Sequence, residues 1–176
     1  MEVASKIKEL AELALKELDV LQGEDAGHFI VDVLYNSRQR PAKLMVIVDG
    51  DHGVTIDVCA ELSRKLTNMM DEQNVLADAY IIDVSTPGLD HPLKMKRQYY
   101  KNVGREVKAH LTDKTIVQGK LEQVSDSALT ILVVPEKKEL QLLRKQSGNN
   151  DLKGVSTEVP FDSIERVFVM VSFKHN

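Results

Sequence analysis

The hydrophobic pattern of this chain changes character near residue 95. Upstream, apolar residues recur every three or four positions in two segments, which predicts two amphipathic helices. Runs rich in β-branched and aromatic residues lie between and after them and predict strands. In chain order, the five segments cover residues 2–18, 28–35, 43–49, 54–71 and 79–85. The order α-β-β-α-β indicates a two-layer α+β domain whose first two strands form an antiparallel hairpin.

Downstream of residue 95, the pattern predicts short strands only. They cover residues 104–111, 115–124 and 128–134, with one or two more within 157–173. Tight turns between them predict hairpins, and such a set of strands favours a small closed barrel because closure removes exposed edges. The charged segment 135–156 is predicted to be a mobile loop. The last strand is predicted to point four side chains inward, those of Ile164, Val167, Val169 and Val171.

Charge is divided unevenly between these two halves of the chain. Residues 1–94 carry 9 Lys and Arg against 17 Asp and Glu, whereas residues 95–176 carry 14 against 10. We therefore predict an acidic N-terminal domain over 1–94 and a basic C-terminal domain over 95–176, joined by a linker at about 94–101. Opposite net charge indicates that the two domains meet different partners.

The sequence lacks the features of membrane and secreted proteins. No apolar run is long enough to span a bilayer, and the first residues lack the apolar centre of a signal peptide. Cys59 is the only cysteine, so no intrachain disulfide can form. Helical spacing places Cys59 on the apolar face of the second helix. A reducing, cytoplasmic location is the expectation.

The turn "VDGDHG" at 48–53 is a candidate metal site because Asp49, Asp51 and His52 are residue types that bind metals. Their spacing does not match an EF-hand loop, and Asp and Gly are typical of a turn between a strand and a helix. Thr55 is predicted to cap the helix that follows, with Asp57 in its first turn.

Motifs for catalysis and cofactor binding are absent from the chain. Neither the glycine-rich phosphate loops nor the serine nucleophile elbow occurs. We predict no catalytic residue, no cofactor, no metal and no small-molecule substrate. A small enzyme built around the loop 87–94 would have only Asp83, Asp90 and His91 as ionisable groups, and these supply no nucleophile with a base and an orienting group.

A basic cluster surrounds and follows the predicted linker. Such cations can neutralise RNA phosphates, and Tyr99 and Tyr100 could stack on unpaired bases. The alternative is a solvated helical linker whose tyrosines pack between the domains; we favour packing for the tyrosines and RNA contact for the cations. The cations are Lys94, Lys96, Arg97, Lys101, Arg105, Lys108 and Lys120.

Two stretches resemble the signatures of a known family, the ribosome maturation factors RimP. The stretch "GVTIDVCAELSRKL" at 53–66 resembles its second-helix signature, carried by Gly53, Val54, Thr55 and Asp57. The stretch "VSTPGLDHPLK" at 84–94 resembles its loop signature, carried by Pro87, Gly88, Leu89, Asp90 and His91. His91 departs from the family, which usually has arginine there, and histidine is mostly neutral at pH 7 whereas arginine stays charged.

The resemblance implies a fold and a role. Members of that family join an α/β N-terminal domain to an SH3-like barrel and bind the free small (30S) ribosomal subunit during late assembly. They contact ribosomal RNA and a small-subunit ribosomal protein near the decoding region, in the cytoplasm, without a cofactor or catalysis. We expect a monomer. The alternative function is a stand-alone RNA-binding regulator with a KH-like domain, against which the absence of a Gly-x-x-Gly clamp counts.

Overall fold

The first half of the chain folds in the predicted order of helices and strands. The computed structural model describes residues 2–22 and 26–171, and the chain divides into two compact units, Met1–Gly88 and Leu89–Asn176. The elements of the first unit are α1 (Glu2–Leu21), β1 (His28–Asn36), β2 (Ala42–Gly50), α2 (Ile56–Glu72) and β3 (Tyr80–Ser85). No helix in the described residues is long and apolar enough to cross a membrane.

The three strands of the first unit form one sheet in the order β1-β2-β3. The predicted hairpin of β1 and β2 is confirmed, and β3 joins β2 in parallel. The apolar stripes of α1 and α2 pack with alternate side chains of the sheet into one core. Its fully buried members include Ile7, Leu44, Val46, Leu62 and Leu66.

The second unit is built around a five-stranded antiparallel sheet in the order β7-β6-β5-β4-β8. Its core contains the buried side chains of Val107, Leu121, Leu129, Ile131 and Val167. The elements are α3 (Lys96–Lys101), β4 (Glu106–Leu111), β5 (Ile116–Val124), β6 (Ala128–Val133), α4 (Lys137–Ser147), β7 (Val155–Pro160) and β8 (Ile164–Val169), with a single 3-10 turn over Phe161–Ser163.

The prediction of a mobile loop at 135–156 is wrong, because α4 occupies half of it. Leu140 and Leu143 are partly buried one turn apart, and Gly148 ends the helix in the left-handed conformation (φ 68°). Glu139 in the first turn and Arg144 in the last also match the helix dipole. The charged composition that predicts a loop equally suits an exposed helix.

The inward direction predicted for Val171 is also wrong. Val167 is fully buried and Ile164 packs against the core, but Val171 is 52% exposed. The register against β4 shifts between the pairs His110–Arg166 and Leu111–Ile164, and β8 ends at Val169. Val171 therefore lies beyond the last paired residue and outside the core.

Gly119 allows β5 and β6 to approach each other closely. A Cβ atom at this position would lie 2.0 Å from the carbonyl oxygen of Leu132, which is rigid backbone. We expect Gly119→Ala to destabilise the chain by about 1–3 kcal/mol because one strand must shift. Thermal unfolding followed by circular dichroism tests this, with the exposed Gln123→Ala on the same strand as control. Equal melting temperatures for the two variants would contradict the prediction.

Candidate nucleic-acid interface

The signature loop is tied to the second unit at its C-terminal end. The backbone amide of Leu93 donates to the carbonyl of Val167 on β8 (2.8 Å), and the Tyr99 hydroxyl donates to the carbonyl of Leu93 (3.3 Å). Gly88, Leu89 and Asp90, which precede this anchor, are exposed. The loop therefore presents its central residues to solvent while its end is fixed on a strand.

His91, the departure from the family pattern, points partly into the protein. His91 is partly buried, and its Nε2 atom is buried with no hydrogen-bond partner among the described residues. An arginine at this position would offer a fork of five donors, whereas this ring nitrogen is hidden from solvent. The geometry does not support His91 as an exposed contact to phosphate.

Gln98 organises the short helix α3 from inside. Its side chain is fully buried, and its Oε1 accepts the backbone N–H groups of Lys94 (2.8 Å) and Met95 (3.0 Å). Both N–H groups lie just before the first residue of α3, where the helix itself offers them no acceptor. The side-chain amide of Asn102 in turn donates to the backbone carbonyl of Gln98 (2.7 Å) at the end of the helix. Gln98 thus fixes the backbone that carries the predicted cations.

The two tyrosines of α3 have different environments. Tyr99 is 7% exposed and packs in the core of the second unit, with its ring centroid 5.5 Å from that of Phe161. Burial raises the pKa of the Tyr99 hydroxyl. Tyr100 is 51% exposed. Tyr99 is therefore a core residue of one unit, and of the two only Tyr100 presents a ring to solvent.

The three cations of α3 lie on its exposed surface. Lys96, Arg97 and Lys101 are all exposed, and the Lys96 ammonium donates to the carbonyl of Asp126 (2.8 Å). The same ammonium lies 5.6 Å from the centroid of the Phe161 ring, within the range of a cation–π contact. Lys96 is thus held on its own unit by two contacts and keeps its charge at the surface.

A groove of about 650 Å³ brings three of the predicted residues together. Arg105 and Lys120 line it together with Leu89 of the signature loop. Among the described residues, the carboxylate in its wall is that of Glu106, which accepts a hydrogen bond from Gln118 (3.2 Å). The remaining wall residues are mostly apolar: Gly104, Val169, Met170 and Val171. The groove combines two cations with several apolar side chains.

Lys108 does not line that groove and lies on β4, the strand next to β8 at one edge of the sheet. Its neighbours Val107 and Ala109 are fully buried, so the alternation of β4 directs Lys108 to the other face. It stands opposite Phe168 on β8 and Gln118 on β5. Phe168 and its neighbour Arg166 were not among the predicted site residues, although the alternation in "IERVFV" could have indicated both.

The second-helix signature builds the start of α2. Gly53 has a positive φ of 91°, which favours glycine, and the Thr55 hydroxyl accepts the backbone N–H of Val58 (3.3 Å). The predicted cap is therefore confirmed. Thr55 and Asp57 are exposed and Val54 is partly buried. This signature lies in the first unit, and the start of a helix is enough to account for its residues.

Clusters suited to metal binding are not found in residues 2–22 and 26–171, where no three His, Cys, Asp or Glu side chains converge. In the turn at 48–53, Asp49 is buried and its carboxylate accepts the backbone N–H of Gly50 (2.9 Å). Asp83 and Asp90 are exposed on a strand and on the signature loop. Burial also raises the pKa of the Cys59 thiol, which disfavours the reactive thiolate.

Comparison with known proteins gives two findings. A family model described as the RimP N-terminal domain matches residues 23–90. The chain is also 35% identical over 157 residues to a protein of Cytophaga hutchinsonii named ribosome maturation factor RimP. That alignment covers 89% of this chain and 92% of the relative, so it includes both units.

Removal of the Gln98 side chain tests its organising role. We expect Gln98→Ala to destabilise the chain by about 2–4 kcal/mol, because two backbone N–H groups lose their acceptor and a cavity forms. Chemical denaturation measures the difference, with the exposed helical residue Gln141 changed to Ala as control. If both variants unfold at the same denaturant concentration, Gln98 does not hold α3 as described.

Proposed function

The chain belongs to the RimP family of ribosome maturation factors, and from that membership we propose that it binds the free small (30S) ribosomal subunit and assists its late assembly. The observation that carries the proposal is identity of 35% along nearly the whole length of both chains. We further propose that it acts in the cytoplasm, as a monomer, without catalysis, a cofactor or a metal.

The proposed division of labour follows the charge of the two halves. The basic half, 95–176, would contact ribosomal RNA, and the acidic half, 1–94, would contact a basic ribosomal protein near the decoding region. Cations position a protein on RNA through phosphates, whereas protein contacts add specificity. The proposed RNA contacts are Lys94, Lys96, Arg97, Lys101, Arg105, Lys108 and Lys120.

For the second unit we propose the SH3-like barrel implied by the family. Its five antiparallel strands, a core on one side of the sheet and the short 3-10 turn between β7 and β8 support this. The backbone amide of Phe161 in that turn donates to the carbonyl of Ser127 (2.9 Å), which draws the chain toward the turn before β6. The boundary near residues 94–101 stays a proposal for the joint between the domains, whereas the two compact units divide between Gly88 and Leu89.

Sedimentation separates this proposal from a stand-alone RNA-binding regulator. We expect the chain to migrate with free small subunits in a sucrose gradient of cell extract and to be absent from polysomes. The purified protein should also bind intact immature subunits more tightly than naked ribosomal RNA. Equal affinity for both would favour the regulator, and migration with polysomes alone would refute the assembly role.

Loss of the two groove cations should weaken binding to small subunits in a salt-dependent way. For Arg105→Gln combined with Lys120→Gln, we expect the slope of log Kd against log salt concentration to fall by about 1–2, since each cation releases about one counterion. The double variant Lys8→Gln with Arg38→Gln removes the same charge from exposed positions of the first unit and serves as control. Identical slopes for the two double variants would exclude the groove from the RNA interface.

A further inference from the structure

The solvent-facing side of β8, β4 and β5 carries an arrangement of rings and cations that the family signatures do not include. We propose that this face, defined by Phe168, His110, Lys108, Arg166 and Lys120 and here called the ring face, binds a single-stranded RNA segment by stacking an unpaired base. The proposal rests on the proposed function and deepens it, because it names the RNA structure that the second unit would recognise.

Strand alternation places all five side chains on one side of the sheet. Val107, Ala109, Leu121 and Val167 are fully buried, so their neighbours along each strand point to solvent. Phe168 lies outside the core cluster of the second unit, although it is the largest apolar residue of β8. Phe168 and His110 are both partly buried, so each ring is partly accessible to solvent on this face. Aromatic rings beside cations on an accessible surface can stack on unpaired bases.

Register brings the rings together between two cations. Phe168 stands opposite Lys108, and His110 stands opposite Arg166, so the four residues form a square on β4 and β8. The Phe168 and His110 rings meet at 5.6 Å between centroids with an interplanar angle of 83°. In such an edge-on contact, the ring that offers its edge keeps both faces outside the contact. A flat aromatic surface of this kind suits a nucleobase.

The cations form a diagonal across the three strands. The row runs from Lys120 on β5 through Lys108 on β4 to Arg166 on β8. Each residue lies one strand over and two residues along from the one before it, so successive Cα atoms are about 8 Å apart. Among residues 2–22 and 26–171, their side chains form neither ion pairs nor hydrogen bonds. Lys120 also lines the groove with Arg105, so the diagonal continues into it.

The acidic groups near this face accept hydrogen bonds from residues other than its three cations, and Glu106 stands opposite Lys120 in the strand register. The Glu106 carboxylate accepts from Gln118, and Glu165 pairs with Lys114 (3.2 Å). The hydrogen bond and charge of Lys114 lower the pKa of Glu165, and the charges of Arg166 and His110 add to this effect. A row of cations without ion pairs beside partly buried rings fits a polyanion with exposed bases better than it fits an acidic or apolar protein surface.

The test measures binding of the full chain to a fluorescein-labelled single-stranded oligoribonucleotide of about twelve nucleotides, to the same sequence as a duplex, and to small subunits. We expect Phe168→Ala to weaken single-strand binding about 5- to 100-fold, with a smaller loss for His110→Ala. Phe168→Tyr keeps the ring and should bind within about twofold of wild type. Binding to the duplex should change less than twofold, because paired bases offer no face to stack on.

Val155→Ala is the matched control, since it removes an exposed apolar side chain from the far edge of the same sheet. Unchanged melting temperatures establish that each variant is folded. Wild-type affinity of Phe168→Ala for the single strand would overturn the ring face, and so would a loss confined to small subunits, which would indicate a protein partner. Failure of the wild-type chain to bind small subunits would instead refute the proposed function, whatever the oligonucleotide shows.

Discussion

Alternation along two neighbouring strands decides what the second unit shows to solvent. Val107 and Ala109 on β4 and Val167 on β8 are fully buried, so the residues between them have no access to the core. A shift of one residue in either strand would bury lysine and arginine and expose the whole apolar set, which makes the register strongly specified. The positions of the side chains on the outer face of this sheet are therefore as firmly determined as those of its core.

The short helix α3 depends on a second constraint, which is the burial of two of its side chains. A buried amide oxygen, that of Gln98, accepts two backbone N–H groups just before the helix, and the Tyr99 ring fills the core beside Phe161. Two adjacent side chains thus hold a six-residue helix that is too short to be stable alone. Because Gln98 and Tyr99 point into the unit, the cations of the helix remain on its surface.

Much of the architecture could be predicted because it follows from local periodicity. The order of helices and strands, the first hairpin and the cap at Thr55 each depend on residues close together in sequence. Helix α4 was missed because its charged residues outweigh its few leucines. The burial of Gln98 cannot be predicted from the sequence, since a glutamine beside two tyrosines is typical of a protein surface. Its burial depends on residues far along the chain. For the same reason, the sequence does not show that Phe168 and Lys108 are neighbours, because their pairing depends on the register of β8 against β4.

Helix α4 lies between two strands that are already paired with each other. Val133 at the end of β6 stands opposite Val155 at the start of β7, so the segment between them leaves the sheet and returns to the same place. No side chain of α4 is fully buried. Its length and composition are consequently free to diverge between relatives without a change in the core, and a dye or affinity tag inserted there would report on the chain while leaving its sheet intact.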